Sequence, residues 1–406
     1  MRFVKTSKQF FFSGLGIGLG YFGLTFIWIV NPFLVDPQKN IWLAPFAYFL
    51  FILVLSLFWA IAFCLSNHLM KDVQGESKKV FFLSVVLALA ELLRSYLFSG
   101  FPWAILSYGW LDTPVSIFVT WFGPYILNSL IIVVGLNLLY SSMLNNAFKI
   151  VFFITILFGL QHYYLDRGTD ESIEDLTVRL VQPNIKQKDK WKKENELQHL
   201  EILIDLSNKS PKPDLVVWPE TAVYWLPEEN PKKLKSIAEQ VRSPLLFGAL
   251  RFNRDTKELF NSVFLIDGKG DILNFYDKTF LVPFGEYIPL GGLLRYFNIF
   301  GNSYRLIDGF SSGSGLELIK NSGFPAFLPL ICYEALFSNE ILGEVKEAHW
   351  ILNITNDAWF GSSSGPKQHL NIARMRALEN NIPLIRVSNN GISAKISKNG
   401  KIEKYI

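Results

Sequence analysis

Long apolar runs dominate the first part of this chain. They lie near residues 10–30, 42–65, 80–98 and 115–139, with a shorter fifth near 148–164. The hydrocarbon core of a bilayer is about 30 Å thick, and a helix needs about 20 apolar residues to cross it. Unbroken runs of this length satisfy their backbone only as helices in such a medium. Residues 1–165 are therefore expected to form a multi-span α-helical membrane bundle of about five spans. Arg2, Lys5 and Lys8 precede the first run, as in a signal peptide. No small-x-small cleavage site follows it, however, and further runs do, so it reads as a span.

The charges fall in step with this pattern. Charged residues make up 18% of the chain and hydrophobic ones 50%, with a mean hydropathy of +0.25. A soluble domain carries about 25% charged residues, so a disordered chain, a coiled coil and a wholly soluble enzyme are excluded. Residues 1–165 hold nine of the 39 basic and five of the 35 acidic residues, which leaves the remainder balanced. The net +4 thus belongs to the apolar half, where it suits membrane loops and not a nucleic-acid surface. With the N-terminus in the cytoplasm, the inner segments carry Arg2, Lys5, Lys8, Lys71, Lys78, Lys79 and Lys149, and the outer loops only Lys39. That bias sets the orientation, and five spans then put everything after residue 165 outside the cytoplasm.

Within the spans, Gly14, Gly16, Gly18 and Gly20 form two GxxxG pairs, expected to pack closely against another helix. Glu91 and Arg94 lie one helical turn apart inside the third run and are expected to form a structural ion pair. Phe101-Pro102-Trp103 and Trp110 read as an aromatic outer loop at the membrane interface.

From residue 176 the pattern changes to short β-rich runs, among them Thr177–Gln182, Asp214–Pro219, Pro244–Leu250, Ser262–Asp267, Ile272–Tyr276, Phe327–Cys332, Trp350–Thr355, Leu384–Ser388 and Ser393–Ser397. Helical stretches at 191–207 and 367–380 fall between them, which predicts an α/β sheet domain over 170–406. Asn399-Gly400 marks a two-residue hairpin turn.

Three of these runs end in groups able to do chemistry. Val216-Val217-Trp218-Pro219-Glu220 ends in a carboxylate, Tyr276-Asp277-Lys278 in an amine, and Leu330-Ile331-Cys332 in a thiol. Ligands of α/β sheets collect beyond strand ends. A carboxylate that takes the thiol proton, with an amine that favours thiolate and oxyanion, could perform covalent acyl transfer there. Singly, each has an ordinary reading: a small hydrophobe for the cysteine, a helix cap for the glutamate, a turn charge for the lysine. Cys64 lies in an apolar run, so no disulfide is expected, and Cys332 is the only cysteine of a domain facing an oxidising space. An unpaired thiol kept there suggests use.

The order Glu220, Lys278, Cys332 resembles the triad of the nitrilase, or carbon-nitrogen hydrolase, superfamily. The surrounding words resemble its apolipoprotein N-acyltransferase family. They are Val181-Gln182-Pro183-Asn184-Ile185, Trp218-Pro219-Glu220, Lys278 to Glu286, Ile331-Cys332-Tyr333-Glu334, Asn356 to Gly361, Gln368-His369, Ala373 to Glu379 and Ser388 to Gly391. Glu91-Leu92-Leu93-Arg94 and Gly100-Phe101-Pro102-Trp103 extend the likeness into the membrane half. The resemblance implies a nitrilase-like αββα sandwich on a transmembrane bundle. It implies Cys332 as nucleophile on a phospholipid ester, Glu220 as general base and Lys278 as oxyanion stabiliser. Glu286 is similar to the family's second, supporting glutamate, and Trp191, Tyr333 and Glu334 match further positions needed for activity. The implied acceptor is the α-amino group of the diacylglyceryl-cysteine that begins an apolipoprotein. No metal or organic cofactor is implied. The implied location is the bacterial cytoplasmic (inner) membrane, with the catalytic domain on the periplasmic side. The family usually also carries about two helices before the first run and a final one after the catalytic domain, so this sequence is expected to be either a natural short form or part of a longer protein.

Other readings compete. A membrane-tethered amidase or nitrilase would use the same triad with water as acceptor. A scaffold or transporter-like protein would leave the three strand-end groups unexplained. Gly361-Ser362-Ser363-Ser364-Gly365 fits the GxSxG pattern, but it does not follow a strand directly, as a nucleophile elbow must. Residues 290–312, rich in Leu, Phe and Gly, read as a lipid-facing lid or as a core-packing loop. Metal-ligand spacing, HExxH and Walker A patterns are absent from the sequence.

Overall fold

The computed structural model describes residues 6–140, 159–160, 176–289, 309–321 and 323–406. It divides into two compact units: Met1–Thr169 with Trp359–Asn381, and Asp170–Ala358 with Ile382–Ile406.

The first unit is helical. Its α1 (Ser7–Thr25) opens with a capping box, in which Gln9 N–H donates to Thr6 Oγ1 at 3.2 Å and Thr6 N–H to Gln9 Oε1 at 3.1 Å. α2 (Ala44–Leu69), α3 (Glu76–Tyr96) and α4 (Val119–Tyr140) follow. Gly14 and Gly18 let α1 approach α2: a Cβ on them would lie 2.6 Å from the Trp59 carbonyl and 2.9 Å from Ser56 Cα. Among the described residues Gly16 and Gly20 meet nothing within 4 Å, so there one of the two expected GxxxG pairs packs a helix.

The expected run 10–30 is not one straight helix. After Thr25 the chain bends by 49° into a 3-10 helix, Ile27–Leu34, which contains Pro32. By length and composition, Pro37–Leu69 and Pro114–Leu138 are able to cross a membrane, and the bent pair makes a third if it counts as one span. The third expected span is a helix of 21 residues, but its charged side chains keep it out of that set. The fifth, at 148–164, lies outside the described residues save 159–160.

The charges of α3 are internal. Arg94 Nη2 lies 2.7 Å from Glu91 Oε2 and Nε 3.0 Å from Oε1, with both side chains at most 2% exposed. Trp59 Nε1 donates to Glu91 Oε1 at 2.7 Å, and Arg94 Nη1 donates to the carbonyls of Phe101 and Trp103. The pair is thus fully hydrogen-bonded, as a buried ion pair must be. It fixes the loop that follows α3, as a structural pair would. Trp103 is buried there, not placed at an interface.

The segment Trp359–Asn381 belongs to this unit. Its helix α7 (Gly365–Asn380) starts with Pro366 in its first turn, and Asn381 beyond its end takes a left-handed conformation. Gln368 is the pin. Its Oε1 accepts from Trp28 Nε1 at 3.0 Å and Trp103 Nε1 at 2.8 Å, while its Nε2 donates to the Thr25 carbonyl and Ser364 Oγ. Arg374 pairs with Asp112.

The second unit is a pair of sheets. The first has the order β1–β2–β3–β4–β5, with β1 (Val178–Leu180), β2 (Leu215–Val217) and β3 (Leu245–Asn253) parallel, and β4 (Glu258–Ile266) and β5 (Ile272–Asp277) antiparallel to their neighbours. The second has the order β11–β10–β9–β8–β7–β6. β7 (Phe324–Ile331), β8 (Trp350–Thr355) and β9 (Leu384–Ser388) are parallel, and β6 (Ile319–Asn321), β10 (Ala394–Ile396) and β11 (Ile402–Tyr405) are antiparallel additions. The expected runs all recur as strands, and β6 and β11 are added to them. The Asn399-Gly400 turn joins β10 to β11, with Gly400 at φ +74°.

Alternation decides the layering. Val216, Trp218, Leu245, Phe247, Phe264 and Ile266 form one core with Leu203 and Ile204 of α5 (Glu196–Ser207) and Leu234, Ile237 and Val241 of α6 (Pro231–Val241). The intervening Leu215, Val217, Leu246, Val263 and Leu265 are equally buried on the opposite face. Strands buried on both faces belong to the middle of a layered α/β fold. Polar side chains tie the sheets together beyond the strand ends. Asn356 Nδ2 donates to Gln187 Oε1 at 2.7 Å, Asn389 Nδ2 to Asn356 Oδ1 at 2.8 Å, and Ser393 Oγ to Gln182 Oε1 at 2.6 Å. Gln182, Asn356 and Asn389, from three of the words around the triad, thus help to join the sheets.

Candidate active site

Each of the three strand ends is locked by its own local device. Glu220 follows β2 through Trp218, a buried indole that donates to Ser207 Oγ at 2.8 Å, and Pro219. The chain then turns sharply, with Thr221 at φ +45°. Gly248 of β3 lies beneath this turn, donating to the Pro219 carbonyl at 3.1 Å and accepting from Ala222 N–H at 2.7 Å. Lys278 follows β5, its N–H donating to the Asn261 carbonyl at 2.8 Å. Cys332 follows β7 at φ +53°. For a residue with a Cβ that conformation costs about 1–3 kcal/mol and needs its surroundings to hold it.

Glu334 supplies that hold. Its Oε2 accepts from Ile331 N–H at 2.6 Å, and its Oε1 accepts from Tyr276 OH at 2.6 Å, Thr279 N–H at 2.6 Å and Phe280 N–H at 3.2 Å. One buried carboxylate thus joins the turn at Cys332 to the residues that flank Lys278. Burial pushes the Glu334 carboxyl up to about 7, against the pull of Tyr276 and the backbone donors.

The charges converge on one point. Lys278, 1% exposed, sets Nζ 2.8 Å from Glu286 Oε1 and 3.5 Å from Glu220 Oε1. Asn261 Nδ2 bridges the same two carboxylates at 3.1 and 2.8 Å, and Glu286 Oε2 accepts from Val282 N–H at 2.8 Å. Burial would lower the Lys278 ammonium, but Glu286 and Glu220 outweigh it and hold it above the ordinary lysine value. The Cys332 thiol is pushed up, first by burial and then by the Glu220 charge, while Lys278 and a hydrogen bond from Thr355 oppose. Both effects favour the thiol form, with the Glu220 carboxylate within electrostatic reach of it. This arrangement suits nucleophilic acyl transfer: a thiol, a base, and an ammonium held by two carboxylates near the place where an oxyanion would form.

Tyr333 is buried with its ring 5.2 Å from that of Phe337. Trp191 is half exposed, 5.6 Å from the Tyr224 ring, whose hydroxyl lies 2.5 Å from His199 Nδ1. The GxSxG reading is not supported: Ser363 Oγ donates to the Phe360 carbonyl, in a turn ahead of α7 and away from any strand end. Residues 290–308 of the expected lid lie outside the described residues.

Two residues in the centre escaped the sequence reading. Asn261 sits on β4 and has no motif around it; its partners are 41 and 25 residues away. Lys190 is buried beside the Glu220 peptide, one position before Trp191.

Family models match both halves of the chain. The carbon-nitrogen hydrolase model covers residues 177–404, and the model of the apolipoprotein N-acyltransferase N-terminal domain covers residues 1–137. The apolipoprotein N-acyltransferase of Brucella suis biovar 1 is 33% identical over 96% of this chain and 76% of its own length. That of Agrobacterium fabrum is 34% identical over the same shares. Among solved structures, Saccharomyces cerevisiae Nit3, a member of branch 10 of the nitrilase superfamily, superposes with a TM-score of 0.42 at 17% identity, over 57% of this chain and 85% of that one. A membrane-type helical half, a two-sheet unit with a carboxylate, an amine and a thiol at its strand ends, and relatives matched along nearly the whole chain lead to one conclusion: the chain belongs to the apolipoprotein N-acyltransferase family.

Proposed function

We propose that Cys332, Glu220 and Lys278 are the catalytic residues with which this membrane acyltransferase N-acylates lipoproteins. The family sets the reaction class, and the observation that carries the assignment is the Lys278 ammonium held between Glu220 and Glu286 beside the turn bearing Cys332. In the first half-reaction, Glu220 takes the thiol proton as Cys332 Sγ attacks the ester carbonyl of a phospholipid acyl chain. Lys278 meets the oxyanion of the tetrahedral adduct. The adduct collapses by breaking the bond to the lysophospholipid oxygen, which leaves with the proton from Glu220, and a thioester remains. In the second, the α-amino group of a diacylglyceryl-cysteine attacks the thioester, gives a proton to Glu220 and departs as an amide. The thiolate takes that proton back.

Glu286 keeps Lys278 charged and in place, and Glu334 holds the Cys332 turn. Tyr333, next to Cys332 in the chain, and Trp191, next to Lys190, are taken as substrate-contacting residues. Both substrates are lipids, so a site carried by residues 170–406 and anchored by residues 1–165 works at the bilayer surface. The basic residues of the inner segments favour the periplasmic side of the inner membrane.

The test is the mass of the Cys332 peptide after incubation of the purified protein with phospholipid. An added acyl group, released by neutral hydroxylamine and absent from Cys332→Ala, is the expected result. An unmodified thiol in folded protein, or an acyl group retained in Cys332→Ala, would overturn the assignment.

A further inference from the structure

Lys190 is one of the buried cations that the catalytic scheme leaves unused. Lys190 ends the short helix Gln187–Lys190 and is 2% exposed. Its Nζ donates to the main-chain carbonyl of Glu220 at 3.0 Å. An ammonium withdrawn from water is costly unless charge and hydrogen bonds compensate it. Glu220, Cys332 when ionised and the ring of His199 are the titratable groups that act on it electrostatically. Glu220 and Glu286 bring two negative charges to the centre and Lys278 brings one positive charge. Lys190 brings a second positive charge beside Glu220. Its bond also falls on a peptide under constraint: the next residue, Thr221, is at φ +45°, and Gly248 presses on the turn from β3.

We propose that Lys190 is a positioning residue for acyl transfer, its ammonium clamping the Glu220 peptide and supplying the second positive charge that the paired carboxylates require. The inference rests on the acyl-transfer reading. The clamp works only while Lys190 is charged. Burial pulls its ammonium down to about 8, with Glu220 and Cys332 opposing. Below that pH the clamp is cationic, and above it the charge is lost. Glu220, Cys332 and the ring of His199 are the titratable groups that face it.

The experiment follows hydroxylamine-labile acylation of Cys332 in the full-length protein. The donor is phosphatidylethanolamine vesicles carrying a fluorescent acyl chain, and the range is pH 6 to 9.5. In the parent the rate should fall above pH about 8, approaching tenfold per unit. Lys190→Met should acylate at least about tenfold more slowly at pH 7 and lose that alkaline limb. Lys190→Arg should recover most of the rate, with the limb displaced upward by more than one unit, because a guanidinium does not deprotonate in this range. A Lys190→Met protein with the parent's rate overturns the proposal, as does a slow one that keeps the parent's alkaline limb. If Lys190→Met does not fold, Lys190→Arg decides: a limb still at about 8 overturns the proposal. A parent that forms no acyl-enzyme rejects the acyl-transfer reading itself, whereas a labelled parent matched by Lys190→Met rejects the clamp alone.

Discussion

Gly248→Ala adds one methyl group under the Glu220 turn, and the structure sets the size of its effect. The new Cβ would lie 2.5 Å from Thr221 N, 2.6 Å from Glu220 Cα and 2.7 Å from the Pro219 carbonyl. All three are backbone atoms, so no flexible side chain can swing aside. Ordinary contact begins near 3.4 Å, and the turn must therefore move by about 0.9 Å. The Glu220 carboxylate is held at 2.8 Å by Asn261 and at 3.5 Å by Lys278, so a shift of that size breaks one contact or the other. Misplacement of a reacting group by about 1 Å costs about 10²-fold in rate, and overpacking of this kind costs about 1–3 kcal/mol in stability. The assay is the initial rate of Cys332 acylation, paired with thermal melting in detergent. Gly343→Ala is the control. It lies in the helix Ser338–Glu344 with nothing within 4 Å of the added atom, and helical alanine is favoured over glycine by about 0.5–1 kcal/mol. A Gly248→Ala protein that acylates within about twofold of the parent and melts with it would refute the claim that this turn is held from β3.

Two further outcomes are expected. The Glu334 carboxyl sits at about 7 in the fold, against an ordinary value of 4.5, so the stability it contributes is full below pH 4.5 and is lost as pH rises through about 7. The span corresponds to about 3 kcal/mol, so Glu334→Gln, which cannot ionise, should lose less stability than the parent between pH 5 and 8; parallel melting curves against pH would refute this. Gln368→Leu strips the acceptor from the buried indoles of Trp28 and Trp103, each unpaired N–H costing about 1–3 kcal/mol, and should lower the melting temperature markedly; an unchanged melt would refute the pinning role.

The chemistry of the site was legible because its parts stand at the ends of apolar runs. Glu220, Lys278 and Cys332 each follow a β-strand directly or nearly so, and that placement is visible in one dimension. Asn261 and Lys190 were not legible for the opposite reason. Asn261 stands inside a strand whose expected start was residue 262, and its function lies in two carboxylates brought to it by distant turns. Lys190 sits in a run of lysines at 186, 188, 190, 192 and 193, and nothing in the sequence sets apart the one whose side chain turns inward. The helical half shows the same limit. Periodicity pointed to close packing by Gly14 and Gly18 and equally by Gly16 and Gly20, and only a neighbour's position separates the two pairs. Trp103 looked like an interfacial aromatic because its acceptor, Gln368, is 265 residues away.

That distance has a consequence for how the protein is made. Synthesis is vectorial, and domains generally fold as the chain emerges. Residues 1–169 are delivered to the membrane before the two-sheet unit, yet their unit is completed only by Trp359–Asn381. Until residue 368 leaves the ribosome, the indoles of Trp28 and Trp103 lack the partner they have in the finished fold. The bundle is therefore a nascent assembly for most of translation and closes almost last. No single cut in the chain separates it from the sheets, so a nick between residues 170 and 358 would leave two fragments that must still find each other.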